Sequence, residues 1–415
     1  MAMGGGFFPR EFSQAPKTQK DSGKPATCAS CGLYQQVNSP RMEAFGEFRK
    51  GILNIGEAPG AEDDRKGRQW QSREGQRLQK EYRALGVDLF EDCLNINAIN
   101  CRPTDGNANR TPTGREIQCC RSRVLRVIGE SKPKVIILVG EKAVESIIGN
   151  LWHKDLGGIY KWRGFTIPDR TLGAWVCPVW HPSYLDRNQS APEMDVVWRR
   201  DLERALSMAE VPFPETQNEE EQVSLISEDR LVSVLKRIKK NRTLFAFDYE
   251  TTGMKPHAEG HQIVCASICF SEDRAYAFPL PPEGSEAREL WKEVLGNPNI
   301  PKQAFNMKFE HAWTQVLLGT EVRGWDWDAM LASHILDNRQ GICSLKFQTY
   351  VNFGVAGYDD EVEPYLKSDG KDGNALNRIL ELWGDSEGQR KLMTYCGMDS
   401  LFTYRLGLIQ RGKIK

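Results

Sequence analysis

Short apolar runs alternate with helical patterns along the first half of the chain. Runs of about four to eight apolar residues are typical of buried strands, and here they occupy 51–56, 93–99, 135–139 and 175–180. Helical patterns follow at 113–130, after Gly140 and at 187–206. Because strands that alternate with helices form parallel sheets covered on both faces, we expect an α/β/α domain over residues 27–206.

A second set of elements begins at residue 223. Strand patterns cover 223–226, 244–247, 263–270 and 275–280, and helical patterns cover 231–238 and most of the remainder, with a Gly- and Asp-rich loop at 354–373. Residues 207–222 combine prolines with an acidic run and show no periodicity, which is typical of a linker. Residues 1–26 are polar and predict a flexible arm. We therefore expect two α/β domains, the second over residues 223–415.

Composition narrows the class of protein. The 415 residues include 55 basic and 56 acidic side chains, so a nucleic-acid-binding surface must be a local patch. No run of about eighteen apolar residues occurs, so no membrane span or membrane partner is expected. The N-terminus lacks the apolar core of a signal peptide, and we expect a cytoplasmic protein. Eleven cysteines in such a chain favour reduced thiols or thiolate metal ligands over a disulfide scaffold.

The strand that ends at Phe247 runs into two acids, Asp248 and Glu250. Residues i and i+2 of a strand face the same side, so the two carboxylates converge and repel each other unless a cation lies between them. Hard oxygen ligands suit Mg²⁺ or Mn²⁺. The alternative interpretation of so short a pattern is a pair of solvated acids at a strand end.

Two later segments extend this pattern. The sequence 306–310 opens a helical pattern and ends in Glu310, and Tyr395 precedes Asp399 by four residues, which places both on one helix face. In this order the three segments resemble the motifs of the DnaQ-like, DEDDy-type 3'–5' exonucleases, and more narrowly the proofreading domain of family A DNA polymerases. The resemblance covers residues 223 to the C-terminus and implies an RNase H-like fold.

That resemblance implies two Mg²⁺ or Mn²⁺ ions that clamp the scissile phosphate of a single strand or frayed 3' end. The ligands would be Asp248, Glu250, Glu310 and Asp399, and Tyr395 would orient the attacking water. The family usually has Asp where this chain has Glu310. Polymerase segments do not follow, so the resemblance implies a bacteriophage-type exonuclease, in the bacterial host cytoplasm, whose family A DNA polymerase partner is a separate chain.

Nearby residues have structural interpretations. Asp328 is expected to cap the helix at 329–336. Phe305, Trp313 and Trp325 are expected to pack in the core, with stacking on frayed bases as the alternative.

Unusual residues also stand at the ends of three N-terminal strands. They are the loop 56–60 (GEAPG), Asn97 ahead of 101–103 (CRP), the segment 109–112 (NRTP) and the segment 181–185 (HPSYL). In this order they resemble the uracil-DNA glycosylase superfamily, closest to its iron–sulfur (family 4) branch. The resemblance covers about residues 28–206.

It implies a pocket for a uracil base extruded from DNA. The Asn97 amide would pair with the edge of uracil, and His181 would stabilise the negative charge that develops on the ring. Gly56 and Ala58 would line the pocket, and Trp70 would stack on the base where the family has Phe.

Two acids, Glu57 and Asp63, would lie near the hydrolytic water, and Asp63 stands where the family usually has Glu. The residues also allow structural interpretations. His181 could satisfy backbone groups at a strand end, and Asn97 could stabilise a turn.

The cysteines provide a second test of the resemblance. Cys28, Cys31, Cys101 and one of Cys119 and Cys120 match the family's [4Fe–4S] ligands, and the motif register favours Cys120. A Cys₄ zinc site is the alternative. The remaining cysteines are interpreted as small core residues: Cys93, Cys177, Cys265, Cys269, Cys343 and Cys396.

Two functional hypotheses follow. The first is a replication and repair enzyme in which a 3'–5' exonuclease is fused to a domain that excises uracil from DNA. The second is a proofreading exonuclease whose N-terminal domain only binds DNA or a partner. Asp63 and Trp70 favour this alternative, because the family usually has Glu and Phe at these positions. A scaffold with two inactive sites conflicts with the complete set of four acids and Tyr395.

Overall fold

Two β-sheets, one in each half of the chain, organise the protein. The computed structural model describes residues 26–188, 191–368 and 374–414. The predicted arm therefore lies outside the described residues except for its last residue. None of the helices in the described ranges is long and apolar enough to cross a lipid bilayer.

The first sheet has five strands in the order β2-β1-β5-β7-β6. Four are parallel, as predicted, and β6 runs antiparallel to β7. The connection from β6 to β7 spans only residues 170–173, which is too short for the crossover that a parallel pair requires. The strands, with a separate hairpin formed by β3 and β4, are β1 (Ile52–Gly56), β2 (Cys93–Asn97), β3 (Thr104–Asp105), β4 (Ala108–Asn109), β5 (Val135–Val139), β6 (Ile167–Asp169) and β7 (Ala174–Val179).

Helices cover both faces of this sheet. Along β5, Ile136 and Leu138 enter one hydrophobic core, whereas Ile137 and Val139 enter the core on the opposite face, so the domain has the predicted α/β/α layers. The helices are α1 (Cys28–Cys31), α2 (Ala61–Lys66), α3 (Arg73–Ala84), α4 (Gly114–Ser131), α5 (Glu141–Leu151), α6 (Ile159–Trp162), α7 (Pro182–Arg187) and α8 (Glu193–Ser207), with 3₁₀ turns at Leu33–Gln35 and Met208–Glu210.

The second sheet has six strands in the order β13-β12-β9-β10-β11-β8. Its centre is antiparallel, since β10 pairs with both β9 and β11 in that sense. The strands are β8 (Val223–Leu225), β9 (Phe245–Thr251), β10 (Ile263–Cys269), β11 (Ala275–Pro279), β12 (Lys302–Ala304) and β13 (Trp325–Asp328). Strands β12 and β13 were not predicted, because they are short and carry polar residues that break the apolar pattern.

The long helix α16 crosses one face of this sheet and contacts β8 through β12. Helices α9 and α10 pack on the other face. The helices are α9 (Glu228–Asn241), α10 (Glu286–Gly296), α11 (Met307–Leu318), α12 (Ala329–Leu336), α13 (Leu345–Phe353), α14 (Glu363–Leu366), α15 (Ile379–Trp383) and α16 (Ser386–Lys413), with a 3₁₀ turn at Glu220–Gln222. The predicted loop at 354–373 contains α14, and residues 369–373 lie outside the described part of the chain.

Helix α13 joins the two halves. Its residues Phe347, Tyr350 and Val351 belong to the same hydrophobic core as Trp152 and Trp162 of the first domain. The Tyr350 hydroxyl also donates a 2.7 Å hydrogen bond to the buried carboxylate of Asp169. The two sheets are therefore connected by a shared core as well as by the chain.

Residues 207–222, predicted as a linker, are held against both domains. Glu219 is 4% exposed and accepts hydrogen bonds from Arg170 of the first domain at 2.8 and 2.9 Å. It also accepts one from Arg405 on α16 at 3.1 Å. One buried carboxylate thus neutralises an arginine from each domain.

We expect the Glu219→Gln substitution to lower the free energy of unfolding by about 3 kcal/mol, because breaking a buried ion pair leaves its partners without a counter-charge. Calorimetry should also show the two domains melting over more widely separated temperatures. The matched control is Glu220→Gln at the exposed neighbouring position, which should change stability by less than about 0.5 kcal/mol. A Glu219→Gln protein that melts like the wild type would show that this contact does not stabilise the interface.

Candidate functional sites

Four carboxylates from three elements converge beside the second sheet. Asp248 and Glu250 lie on the same side of β9, Glu310 lies in the first turn of α11, and Asp399 lies on α16. Glu250, Glu310 and Asp399 are each at most 7% exposed. Tyr395, one helical turn before Asp399, is equally buried. The structure therefore brings together all five residues that the sequence singled out here.

Burial and mutual repulsion dominate the electrostatics of this group. Burial raises the pKa of Asp248 well above its ordinary value, and the charge of Asp399 raises it further. Burial followed by the charge of Asp248 likewise raises the pKa values of Glu250 and Glu310. Removing these acids from water favours their neutral forms unless a positive charge compensates them.

The donor set fits a divalent cation. One carboxylate oxygen of Glu310 is buried and has no hydrogen-bond partner among the described residues. Ligand atoms of Asp248, Glu250 and Cys396 lie within 4.8 Å of one another. Buried carboxylate oxygens are the ligands that Mg²⁺ and Mn²⁺ prefer, and a bound cation would satisfy the unpaired oxygen.

Three residues contact the carboxylates at this site although the sequence did not indicate such contacts. The Lys346 ammonium lies 2.6 and 2.7 Å from the two carboxylate oxygens of Asp399, and the Tyr358 hydroxyl donates to the same carboxylate at 2.6 Å. Cys396 is a core residue, as predicted, but its sulfur also lies 3.7 Å from an Asp248 carboxylate oxygen. No sequence signal marks them, because Lys346 lies in an ordinary helical pattern and Tyr358 in a segment predicted as a loop.

Tyr395 is poised as a neutral phenol. Burial, and after it the charge of Asp399, raises its pKa well above the ordinary value. Its ring centroid lies 6.1 Å from that of Tyr358 and 4.3 Å from the Lys346 nitrogen. The phenolic hydroxyl therefore keeps its proton and can donate or accept a hydrogen bond to a water molecule.

Neighbouring residues confirm their predicted structural roles. Asp328 caps α12 through the backbone amides of Met330 and Leu331 at 3.0 and 3.2 Å, and it also accepts the Met307 amide at the start of α11. It thereby fixes the helix that carries Glu310. Trp313 is fully buried, and Trp325 packs against the same core.

In the first domain, residues at the ends of three parallel strands meet around Trp70. Gly56 ends β1, Asn97 ends β2, and His181 follows β7. A Cβ atom at Gly56 would clash with the Asn97 side-chain oxygen and would come within 2.9 Å of the Trp70 ring. Only glycine therefore allows the Asn97 amide and the indole to meet at this strand end.

Trp70 is buried at the centre of this group. It is 5% exposed and adopts a left-handed backbone conformation with φ of 62°. Its indole nitrogen donates to the buried Asn95 side-chain oxygen at 3.1 Å, and its ring is stacked toward His181 with a centroid distance of 5.9 Å. The hydrogen bond to Asn95 fixes the plane of the indole.

The protonation of His181 follows from its hydrogen bonds. Its Nδ1 accepts the backbone N–H of Ser183 at 3.2 Å, so in the neutral ring the proton resides on Nε2. Burial lowers the pKa of His181, partly offset by the charge of Glu57. Near neutral pH the residue is therefore an uncharged donor through Nε2. The interpretation of His181 as a residue that satisfies backbone groups is compatible with this donor role, since the two roles use different nitrogens.

The two acids of this domain have different partners. Asp63 uses both carboxylate oxygens on backbone amides, those of Gly60 at 2.9 Å and Gln71 at 2.6 Å. One oxygen of Glu57 accepts the Lys142 amide at the start of α5, at 3.2 Å. The structure thus gives Asp63 a role in holding the loop that carries Trp70, and within the described ranges only one oxygen of Glu57 accepts a hydrogen bond.

Cysteines from three segments line one cleft of about 450 Å³. Helix α1 packs on α4 and brings Cys28 and Cys31 toward Cys101 and Cys120. Burial raises the pKa of the Cys120 thiol to about 12, and the other three thiols lie close enough to raise it further by charge repulsion. In the same cleft, the Asn100 amide is buried and has no side-chain hydrogen-bond partner among the described residues.

Two neighbours of this cleft complete the description. Cys119 also lines it and lies 3.6 Å from the Ser30 hydroxyl. Ala58 packs against the small hydrophobic cluster that includes Cys120, so the loop that was predicted to line the base pocket lies close to the cysteine cleft.

Comparisons with known proteins give two separate matches. Residues 44–203 match the family model of the uracil DNA glycosylase superfamily, and residues 223–409 match that of a 3'-5' exonuclease. A type-4 uracil-DNA glycosylase of Thermotoga maritima is 34% identical over 180 residues, which cover 43% of this chain and 88% of that protein. Its counterpart in Pyrobaculum aerophilum is 31% identical over 180 residues, covering 42% and 86%. DNA polymerase I of Chloroflexus aurantiacus is 34% identical over 117 residues, covering 26% of this chain and 12% of that polymerase.

The raised carboxyl pKa values make a prediction about stability and pH. A group whose pKa is raised by folding stabilises the folded state below its unfolded pKa, about 4 for these acids, and this contribution is lost as pH rises through the folded value. In EDTA, Asp248→Asn should therefore raise the melting temperature at pH 8 by roughly 3 °C and change it much less at pH 5. As a control of opposite sign, Asp273→Asn removes an exposed acid whose pKa is lowered by the Ser271 hydroxyl. Equal melting curves for Asp248→Asn and the wild type at pH 8 would contradict the repulsion described above.

Proposed function

The chain belongs to the uracil-DNA glycosylase superfamily through its N-terminal domain and carries a 3'-5' exonuclease domain in its C-terminal half, and from this premise we propose that it is a bifunctional enzyme acting on DNA. One domain, residues 27–206, removes uracil. The other, residues 223–415, releases nucleotides from 3' ends.

The main support for the nuclease assignment is that four carboxylates and one tyrosine converge at a single point. Asp248, Glu250, Glu310 and Asp399 would hold two Mg²⁺ or Mn²⁺ ions. When bound, such ions supply an activated water and stabilise the leaving oxygen. Tyr395 orients the attacking water through its neutral hydroxyl. Glu310 extends to the group from α11 with a side chain one methylene longer than the Asp that the family usually has. Its unpaired oxygen supports its assignment as a ligand.

At the N-terminal site, the neutral His181 donates Nε2–H to the uracil oxygen on which negative charge accumulates as the glycosidic bond breaks. Asn97 reads the edge of the base with its amide, and Trp70 packs against its face. Glu57, through its other carboxylate oxygen, positions the attacking water. Asp63 holds the loop of Trp70 and takes no part in the chemistry, which revises the role that the resemblance implied.

We assign a [4Fe–4S] cluster to Cys28, Cys31, Cys101 and Cys120. The similarity of this domain to type-4 uracil-DNA glycosylases, whose cluster ligands these four cysteines match in order, supports the cluster over a tetrahedral zinc site. The unpaired Asn100 amide is a candidate hydrogen-bond donor to the cluster.

A second candidate function, uracil recognition without cleavage, is favoured by one observation. Both oxygens of Asp63 are engaged by backbone amides, so only Glu57 remains to activate water. The nuclease would then be the sole catalytic unit.

The cellular role is also a proposal. The 117-residue similarity to a DNA polymerase I supports a nuclease of the proofreading type.

Activity assays with paired variants test the proposed function. In EDTA, single-stranded uracil DNA should become alkali-labile, because base release needs no divalent ion, and Mg²⁺ should add release of mononucleotides. His181→Ala should lower base release by about a hundredfold and leave the nuclease intact. Asp248→Ala should abolish mononucleotide release and leave base excision intact.

The comparison for His181→Ala is Ser183→Ala, which removes the hydroxyl that lies 2.8 Å from Nδ1 but keeps the backbone donor, and it should lower base release much less than His181→Ala. Binding to uracil DNA without abasic product at any enzyme concentration would favour recognition without cleavage. Mg²⁺-dependent nuclease activity in Asp248→Ala would contradict the assignment of the carboxylate site.

Variants of the adjacent cysteines test the cluster. Anaerobically purified protein should be brown with broad visible absorbance. Cys120→Ser should bleach the protein and lower the melting temperature of the first domain, whereas Cys119→Ser should keep the colour. Colourless wild-type protein containing one zinc per chain would overturn the cluster assignment.

A further inference from the structure

A lysine lies inside the nuclease site, at the place where a metal ion would meet Asp399. The Lys346 nitrogen contacts both oxygens of that carboxylate at 2.6 and 2.7 Å. It also lies 4.4 and 4.3 Å from the ring centroids of Tyr358 and Tyr395. The side chains of Lys346 and Asp399 are only 15% and 10% exposed, so this is a buried, enclosed cation.

The position of Lys346 is fixed by the other domain. Helix α13 places Lys346 toward Asp399, while its residues Phe347, Tyr350 and Val351 pack into the core of the glycosylase domain. The Tyr350 hydroxyl is bonded to Asp169 of that domain at 2.7 Å. One face of α13 is therefore packed in the first domain while Lys346 extends from the helix to Asp399. This packing restricts the movement of Lys346 away from the carboxylate.

An ammonium at this point has two physical consequences. It supplies one positive charge to a group of acids that otherwise repel each other. It also uses both oxygens of Asp399, and a divalent ion that approached those oxygens would face a like charge at close range. Lys346 therefore stabilises the metal-free site and opposes metal binding at its Asp399 side.

We propose that Lys346 is a positioning residue that sets the metal occupancy of the nuclease site: held in place by helix α13 and the glycosylase domain, it competes with divalent ions for Asp399 and lowers their affinity. This inference rests on the proposed nuclease function. It gives the glycosylase domain a direct physical connection to the nuclease centre.

Manganese binding to the full-length protein without DNA tests this proposal. Electron paramagnetic resonance of free Mn²⁺ at pH 7.5 should show at least tenfold tighter binding in Lys346→Met than in the wild type. The matched control is Lys391→Met on α16, which removes the same charge from a lysine paired with Glu361 and Glu387 and should change the affinity by less than twofold. Equal or weaker Mn²⁺ binding in Lys346→Met would overturn the proposal.

A second variant tests the connection between the domains and does not alter the site itself. Tyr350→Phe removes the hydrogen bond to Asp169 and should tighten Mn²⁺ binding several-fold by loosening α13. Unchanged binding in this variant would overturn the role of the glycosylase domain. Lys346→Gln, which also removes the charge, should tighten Mn²⁺ binding and serves if Lys346→Met does not fold, whereas Lys346→Arg, which keeps the charge, should bind Mn²⁺ no more tightly than the wild type.

The proposed nuclease function fails in a different way. Suppose that adding Asp248→Ala to the wild type or to Lys346→Met removes no bound Mn²⁺. The carboxylate group is then not a metal site. If the wild type binds Mn²⁺ through Asp248 with the same affinity as Lys346→Met, the metal site stands and only the role of Lys346 is wrong.

Discussion

Repulsion among four carboxylates is the constraint around which the second domain is built. Asp248, Glu250 and Glu310 lose hydration on folding, and the charges of Asp248 and Asp399 raise the free energy of their neighbours' charged forms further. Hydrophobic packing must hold them together. Strand β9 lies inside the sheet and α16 crosses its face over much of the helix length, so burial of apolar surface on both elements opposes the repulsion. A site under this constraint favours any cation that fits, whether a metal ion or the ammonium of Lys346.

The glycosylase domain uses backbone groups rather than charge to prepare its site. His181 is oriented by the amide of Ser183, Glu57 by that of Lys142, and Asp63 by those of Gly60 and Gln71. Hydrogen bonds to rigid backbone fix side chains without introducing further titratable groups. Burial lowers the pKa of His181, and because the Ser183 amide uses Nδ1, the Nε2–H of the neutral ring is left to donate.

The interface joins the two domains through a shared hydrophobic core and a shared buried carboxylate. Helix α13 contributes aromatic side chains to the core of the first domain, and Glu219 neutralises an arginine from each side. A flexible linker would have allowed the two activities to operate independently. The observed packing instead makes the position of Lys346, and with it the environment of Asp399, depend on the first domain.

The sequence by itself determined the two α/β domains, most of the long helices though not α3, and the strands that carry Asp248 and Asn97 or lead to His181, because apolar periodicity is a local property. It also identified the four carboxylates as one group. The tertiary structure alone revealed Lys346 and Tyr358 at Asp399, the engagement of Asp63 by backbone amides, and the fixed position of residues 207–222. These features depend on contacts between residues far apart in the chain, and such contacts are decided by how helices dock on sheets, which no local pattern of polar and apolar residues encodes.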